Sequence, residues 1–347
     1  MKILVVGDSF VPVAVFRKGL AGIERAHDVE YMQLDESSLL EPASDSDRAI
    51  REYLGTPAQI AKRIGGKDVL VVHGAPVTDE VLAAAPRLRL VCCARGGPVN
   101  VDVKAASARG IPVVNTPGKN ADAVADQALA FMVMLARGFP RAQRFLLDGG
   151  RLGESAYEGA QFLGHELGGH VLGLVGYGNV GRRVARRALA FGMDVIVYDP
   201  YVKSIDMAGV RQVPSLAVLL EESDFVSLHV RASADTENLM GRAEFAAMKR
   251  GAWFLNTARE TLVDEAALDA ALASGHVAGA ALDVVRPRAG EGPHPLLRHP
   301  NVVITPHIGG ATHETLLRGV TMVAAEIERF DRGESLGSVV NRSALPA

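Results

Sequence analysis

The sequence predicts an α/β protein of two domains, each built on a parallel sheet. Three observations carry this. Short apolar runs alternate with helical patterns from one end of the chain to the other. The runs are solidly apolar, as strands buried on both faces must be, and lack the alternation of a half-exposed sheet. A chain of 347 residues, at about 150 residues per domain, makes two domains.

Taken in order, Ile3–Val6, Val69–Val72, Arg89–Cys93 and Val113–Val114 read as strands, with helices such as Asp79–Ala85 and Val101–Ala108 between them. Ala121–Leu147 then reads as one long helix, apolar from Ala128 to Ala136 and basic beyond. A glycine-rich loop, Asp148–Gly169, follows. The strand rhythm returns at Val171–Val175, Val195–Tyr198, Phe225–Leu228, Trp253–Leu255, Ala278–Leu282 and Val302–Ile304. A second long helix covers Thr312–Asp331. If that helix crosses back, the C-terminal tail belongs to the first domain.

Composition excludes several classes of protein. Lys and Arg number 37 and Asp and Glu 40, a net charge of −3 that argues against broad capture of nucleic acid or anionic membrane. With 48% hydrophobic and 22% charged residues the chain is globular. Ile3–Val6 is too short for a signal-peptide core, and Ala128–Ala136 too short to span a bilayer, so the expectation is a cytoplasmic protein. The two cysteines, Cys92 and Cys93, are adjacent. Neighbours do not staple a fold, and no spacing suits zinc, so no metal site is expected and both read as small core residues.

The strongest local motif is Val171-Leu-Gly-Leu-Val-Gly176-Tyr-Gly178-Asn-Val-Gly181, a G-x-G-x-x-G that follows an apolar strand and opens the helix Asn179–Phe191. Gly176 allows a tight turn, Gly178 lets backbone approach a pyrophosphate, and Gly181 lets the helix pack on the strand. The helix N-terminus at Asn179 and Val180 then faces the anion. Asp199 ends the next strand. A carboxylate there accepts from a ribose diol and repels a 2′-phosphate, which favours NAD over NADP. Arg182, Arg183, Arg186 and Arg187 crowd the same helix. They could attract phosphate, but a solvated helix face is the favoured reading.

The stretch Leu172–His313 resembles the D-isomer-specific 2-hydroxyacid dehydrogenase family. Four blocks in order carry the likeness: Gly176 to Gly181; Asn256-Thr-Ala-Arg259 with Leu262-Val-Asp-Glu265; Ala280-Ala-Leu-Asp283-Val; and Thr305-Pro-His307-Ile-Gly-Gly310. Arg95-Gly96-Gly97 and Asn115-Thr-Pro-Gly118 extend it toward the N-terminus. The resemblance implies two Rossmann-like or flavodoxin-like domains: a discontinuous substrate domain, 1–118 plus 312–347, and an inserted NAD-binding domain, 119–311. It implies reversible reduction of a 2-keto acid by NADH to the (R)-2-hydroxy acid, and a homodimer built through Ala121–Gly169.

Such a reduction needs a cation on the carboxylate and carbonyl and a proton for the developing alkoxide. A planar guanidinium at Arg259 suits the first and an imidazole at His307 the second. Gly96 and Gly97, with Arg95, would anchor the carboxylate through backbone N–H groups, and Gly74 and Ala75 would line the pocket. His73 reads equally as pocket lining or as a plain strand end. By resemblance Asp283 meets the nicotinamide, and His229, Val230, Thr257, Ala258, Gly309 and Gly310 flank the cofactor.

Two positions depart from the family. Its usual Glu partner of the histidine falls, counting from Asp283, on Arg288, where an Arg would lower rather than raise the imidazole pKa. Glu260 stands where Gly is usual after Arg259. Glu291 or Glu260 could stand in, His307 could act alone, or catalysis could be lost. The last would leave a non-catalytic NAD-sensing or corepressor-like protein on the same scaffold. The charged departures favour a polar, sugar-derived or phosphorylated hydroxy acid as substrate.

Overall fold

The computed structural model of the protein describes residues 1–35, 49–151, 156–287 and 292–344. The chain forms two compact units, Met1–Lys119 with Ala311–Ala347 and Asn120–Gly310, so the second is inserted into the first.

The first unit holds five parallel strands: β1 (Lys2–Gly7), β2 (Asp28–Gln33), β3 (Val69–Val72), β4 (Leu90–Cys93) and β5 (Val113–Val114). Their order, β2-β1-β3-β4-β5, is flavodoxin-like. β3 and β4 are buried on both faces, with Ile60, Ile64 and Val81 over one face and Phe16, Val320 and Ile327 over the other. Cys92 and Cys93 are buried free thiols in β4, and burial pushes both well up from the usual thiol range. Helix His313–Asp331, capped by the Thr312 hydroxyl on Thr315 N, packs in this unit.

The second unit holds seven parallel strands: β6 (Val171–Val175), β7 (Asp194–Tyr198), β8 (Val210–Gln212), β9 (Phe225–Leu228), β10 (Ala252–Asn256), β11 (Val277–Leu282) and β12 (Val302–Ile304). Their order is β12-β11-β10-β9-β6-β7-β8, so the strand order reverses between β6 and β9. This is the doubly wound arrangement, whose ligands bind beyond the carboxyl ends of the strands at that reversal.

Two elements escape the apolar-run reading. β2 and β8 are edge strands, rich in polar residues and partly exposed, so they lack the apolar run that marks a strand paired on both sides. Two elements differ from the sequence expectation: the loop Asp148–Gly169 holds a 3-10 helix, Ala156–Phe162, and the long helix is broken. Ala121–Leu147 is two helices, Ala121–Ala136 and Phe139–Leu147. Gly138 lies between them at φ 63°, the left-handed region that ends helices. Pro140 follows without an N–H to continue the ladder. The freed carbonyl of Ala136 accepts instead from His165 N at 2.8 Å. The second helix buries no residue.

The arginine cluster is used structurally. Arg183 and Arg187 pair with Asp122, Arg187 also with Asp126, and Arg182 with Asp206. The pairs to Asp122 and Asp126 tie helix Asn179–Ala190 to helix Ala121–Ala136.

Candidate active site

The glycine turn is built at the reversal in strand order. Gly176 sits at φ 99°, and a Cβ there would lie 2.8 Å from His229 O and 2.9 Å from Val230 Cγ1. A Cβ on Gly181 would lie 2.3 Å from Gly176 O, which is the close helix–strand approach expected of it. The same construction at Gly178 meets nothing within 4 Å, and helix Asn179–Ala190 has no side-chain cap. An open backbone thus faces a helix N-terminus whose first N–H groups are available to an anion. Asp199 follows β7. Its Oδ2 accepts from Tyr177 N at 2.8 Å and its Oδ1 from Tyr201 N at 2.9 Å, so the carboxylate is held in one orientation beside the turn.

His229 follows β9. Burial pushes its imidazole down to about 4, so it is neutral near pH 7, and Nε2 lies 2.9 Å from Ser227 Oγ. Thr257 follows β10 and is buried, with an Oγ1 that has no hydrogen-bond partner among the described residues. An orphaned buried hydroxyl calls for a partner. Together with the open Gly178 backbone and the Asp199 carboxylate, it fits a dinucleotide lying along these strand ends.

Arg259 lies three residues beyond β10 with its side chain exposed. Asn256 fixes the turn: its Nδ2 donates to Arg259 O at 2.8 Å, and its Oδ1 accepts from Ala258 N at 3.0 Å. The guanidinium reaches only Ala258 O, at 2.7 Å, among the described residues. It is therefore positioned by its backbone and open to a ligand carboxylate.

His307 is exposed and sits at φ 54°. That region costs a non-glycine residue about 1–2 kcal/mol, and such strain points to function when surroundings enforce it. The enforcing group is Asp283, buried at the end of β11. Its Oδ1 accepts from Thr305 Oγ1 at 2.5 Å, Ile308 N at 2.9 Å and Gln127 Nε2 at 3.0 Å; Oδ2 accepts from Gly309 N at 2.8 Å. The backbone N–H of His307 donates to Asp283 O at 2.9 Å. A Cβ on Gly309 would lie 2.8 Å from Asp283 Oδ2 and 2.6 Å from Gln127 Oε1, so only glycine fits under this carboxylate. A Cβ on Gly310 would lie 2.9 Å from Nδ2 of Asn120, the residue before helix Ala121–Ala136. Asp283 is thus the hub of the histidine loop.

In the first unit, Gly74 and Ala75 follow β3 and Arg95 to Gly97 follow β4. Gly96 and Gly97 are exposed, with open space where a side chain would stand. Arg95 turns its guanidinium to Glu52, 2.5 Å from its carboxylate and 2.8 Å from its carbonyl oxygen. The ligand-facing part of this loop is accordingly the glycine backbone.

Arg288 and Glu291 lie outside the described residues. Glu260 opens a short 3-10 turn. Among the described residues no carboxylate lies within hydrogen-bond or ion-pair distance of the His307 ring, Glu260 included. A carboxylate–imidazole contact does occur nearby in sequence: Glu265 Oε2 lies 3.3 Å from His294 Nε2, and Glu265 Oε1 accepts from Arg286 N at 2.7 Å. This ties down the chain that leaves β11.

Sequence reasoning missed Gln127 and Thr305 as supports of Asp283, because neither lies near it in the chain. It also missed Asp8 and Lys119. Asp8 directly follows an apolar strand, the place where a parallel sheet presents ligand-binding side chains, and that signal was available. Lys119 is buried, donates to Ala94 O at 2.6 Å, and burial pushes its amine down to about 8.

A glycine turn on a helix N-terminus, an acidic residue ending the next strand, and a strained histidine loop in the same unit define a dinucleotide-binding oxidoreductase domain. Comparison with known proteins narrows the class. Residues 129–309 match the family described as D-isomer specific 2-hydroxyacid dehydrogenase, NAD binding domain. The chain is 41% identical to a glyoxylate reductase of Korarchaeum cryptofilum over 290 residues, 82% of this chain and 86% of that one. It is 38% identical to a D-3-phosphoglycerate dehydrogenase of Methanocaldococcus jannaschii over 84% of this chain, but spans only 55% of that longer protein. The solved structure of the TT0316 protein from Thermus thermophilus, 35% identical, superposes with a TM-score of 0.77 and covers 98% of this chain and 100% of that one. The chain belongs to the D-isomer specific 2-hydroxyacid dehydrogenases, nicotinamide-dependent oxidoreductases that interconvert a 2-keto acid and the D-2-hydroxy acid.

Proposed function

We propose that this enzyme uses NADH to reduce a small, polar 2-keto acid to the (R)-2-hydroxy acid, with Arg259 and His307 as its catalytic residues. The observation that carries the reading is the His307 loop: an exposed histidine on a strained backbone, in a loop whose Thr305, Ile308 and Gly309 donate to the buried Asp283 carboxylate. The nicotinamide supplies the hydride when bound. Arg259 pairs with the substrate carboxylate and polarises the C2 carbonyl, as a planar guanidinium does best. A ring nitrogen of His307 delivers the proton to the alkoxide oxygen, and takes it back in the reverse direction. The Gly96–Gly97 backbone anchors the acid end in the substrate-binding domain, read as 1–118 plus 312–347. The NAD-binding domain is read as 119–311. NADH oxidation against a panel of 2-keto acids tests this. Turnover supports it; NADH binding without turnover on any acid returns weight to the non-catalytic reading.

Asp199 underlies the preference for NAD. Its fixed carboxylate accepts from a ribose diol and repels a 2′-phosphate. Asp199→Ala is expected to raise the NADP-to-NAD ratio of kcat/KM by roughly tenfold or more, a repulsion and a hydrogen bond having been removed together. An unchanged ratio, measured with both cofactors, would refute the assignment.

The assembly is read as a homodimer. Phe139, Leu146, Leu147 and Leu163 are exposed on or near helix Phe139–Leu147, and Leu147 and Leu163 are 75% and 83% exposed. An apolar cluster on a helix with no buried residue is what a second copy would cover. Leu147→Asp is expected to shift the mass seen by light scattering from dimer to monomer; a wild-type monomer would sink the reading. The unpaired thiols Cys92 and Cys93 suit a reducing compartment, and the cytoplasm is the proposed location.

A further inference from the structure

In the second unit the loops that leave β9, β10 and β11 meet at one side chain, Arg286. It follows β11 and is half-buried. Its Nη2 donates to Asn238 Oδ1 at 2.8 Å, on the loop after β9, and to Thr261 O at 3.5 Å, on the loop after β10. Its own backbone N–H donates to Glu265 Oε1 at 2.7 Å, in the first turn of helix Glu265–Ala273. One residue thus bridges the ends of three neighbouring strands, on the edge where a doubly wound sheet places its ligands.

The bridge bears on Arg259. Among the described residues the Arg259 guanidinium meets only a backbone carbonyl, so its reach is set by where the loop holds its main chain. Asn256 fixes the near side of that loop. The far side hangs on the chain after β9. Asn238 N donates to Thr261 O at 2.8 Å, Met240 N to Leu262 O at 2.9 Å, and Asp264 N to Met240 O at 3.0 Å. Asn238 takes φ 49°, a left-handed conformation that a non-glycine residue keeps only where its surroundings enforce it. Arg286 supplies that constraint. It binds the Asn238 side chain and also the carbonyl that the Asn238 N–H uses, and a planar guanidinium is suited to spanning two acceptors. Asn238 is exposed, so these contacts add little to stability, and their consequence is geometric.

We propose that Arg286 is a positioning residue for Arg259: through Asn238 and Thr261 it sets where Arg259 meets the substrate carboxylate. This rests on the role proposed for Arg259 above. Arg286 itself touches no reacting group in this scheme.

The test uses the full chain, NADH and the 2-keto acid that wild type turns over best. Arg286→Ala is expected to lower kcat/KM for the keto acid by about tenfold, as a displacement of about 1 Å or less can do. The loss should fall mainly on KM, because the carboxylate contact is made in ground and transition states alike, and NADH affinity should stay within about twofold. Arg286→Lys, which keeps a donor, should recover part of the loss. Once Arg259→Ala has removed the guanidinium there is nothing left to position, so adding Arg286→Ala should cost less than about twofold more. A second full loss on that background, an unchanged kcat/KM in Arg286→Ala, or an equal loss of NADH affinity would overturn the proposal. Should Arg286→Ala not fold, Asn238→Gly decides, since glycine adopts this φ freely but offers Arg286 no side-chain acceptor. It should lower kcat/KM by about threefold or more without lowering Tm. Wild-type kinetics in that variant overturn the proposal. Hydrogen exchange read by mass spectrometry is independent of turnover. In Arg286→Ala, residues 238–240 and 259–264 should exchange about fivefold faster or more, with the Gly176 turn unchanged. Wild-type exchange in those two segments overturns it. A wild type inactive on every 2-keto acid would instead sink the function proposed above, and exchange would still decide whether Arg286 holds the Arg259 loop.

Discussion

His307→Ala is expected to lower kcat by about 10²–10⁴-fold, the usual contribution of a positioned general acid–base group. Both kcat and kcat/KM should fall together, because the proton transfer is made only in the transition state. NADH affinity should stay within about threefold, since the nucleotide contacts are proposed at the Gly176 turn and Asp199. His307 sits at φ 54°, so Ala there keeps a backbone cost of about 1 kcal/mol that Gly would relieve. His307→Gly should therefore be as inactive as His307→Ala but somewhat more stable. Steady-state kinetics with fluorescence titration of NADH check the first point and thermal unfolding the second. Retention of more than about a tenth of wild-type kcat by both variants would remove His307 from the chemistry.

Asp283→Ala is expected to cost nearly as much activity, although Asp283 is a positioning residue. Its carboxylate accepts from Thr305, Ile308, Gly309 and Gln127 and so sets the backbone of the His307 loop. Removing it leaves the buried Gly309 N–H without an acceptor, while Gln127 Nε2 keeps Thr305 Oγ1 at 3.0 Å. A stranded donor costs about 1–3 kcal/mol, and a loss of stability of about that size follows. Asp283→Asn keeps one acceptor oxygen but turns an NH₂ toward donors, so its loss should be intermediate. The readout that separates positioning from plain instability is kinetic. At a temperature where Asp283→Asn is fully folded, kcat should still be depressed by about tenfold or more with little change in NADH affinity. A folded Asp283→Asn with wild-type kcat would show that the loop holds its shape without the carboxylate.

The sequence by itself determined the class of fold, because strands buried on both faces must be continuously apolar and parallel strands need helices between them. It also determined the nucleotide motif. Gly176, Gly178 and Gly181 are spaced along one strand–turn–helix unit and Asp199 follows the strand after it, and spacing is legible in a chain. Edge strands β2 and β8 were not legible, since an edge needs no apolar face. The break at Gly138 is written in the chain as Gly-x-Pro, between an apolar and a basic helical stretch that read as one helix. What only the tertiary structure decided were contacts between residues far apart in the chain. Gln127 reaches Asp283 across 156 positions, and Asp8 reaches His73 across 65. A carboxylate in a sequence carries no sign of whether it faces water, a ribose or a buried imidazole. Only packing removes the water and chooses the partner, and that choice turned Asp283 into the support of His307 and Asp8 into the support of His73.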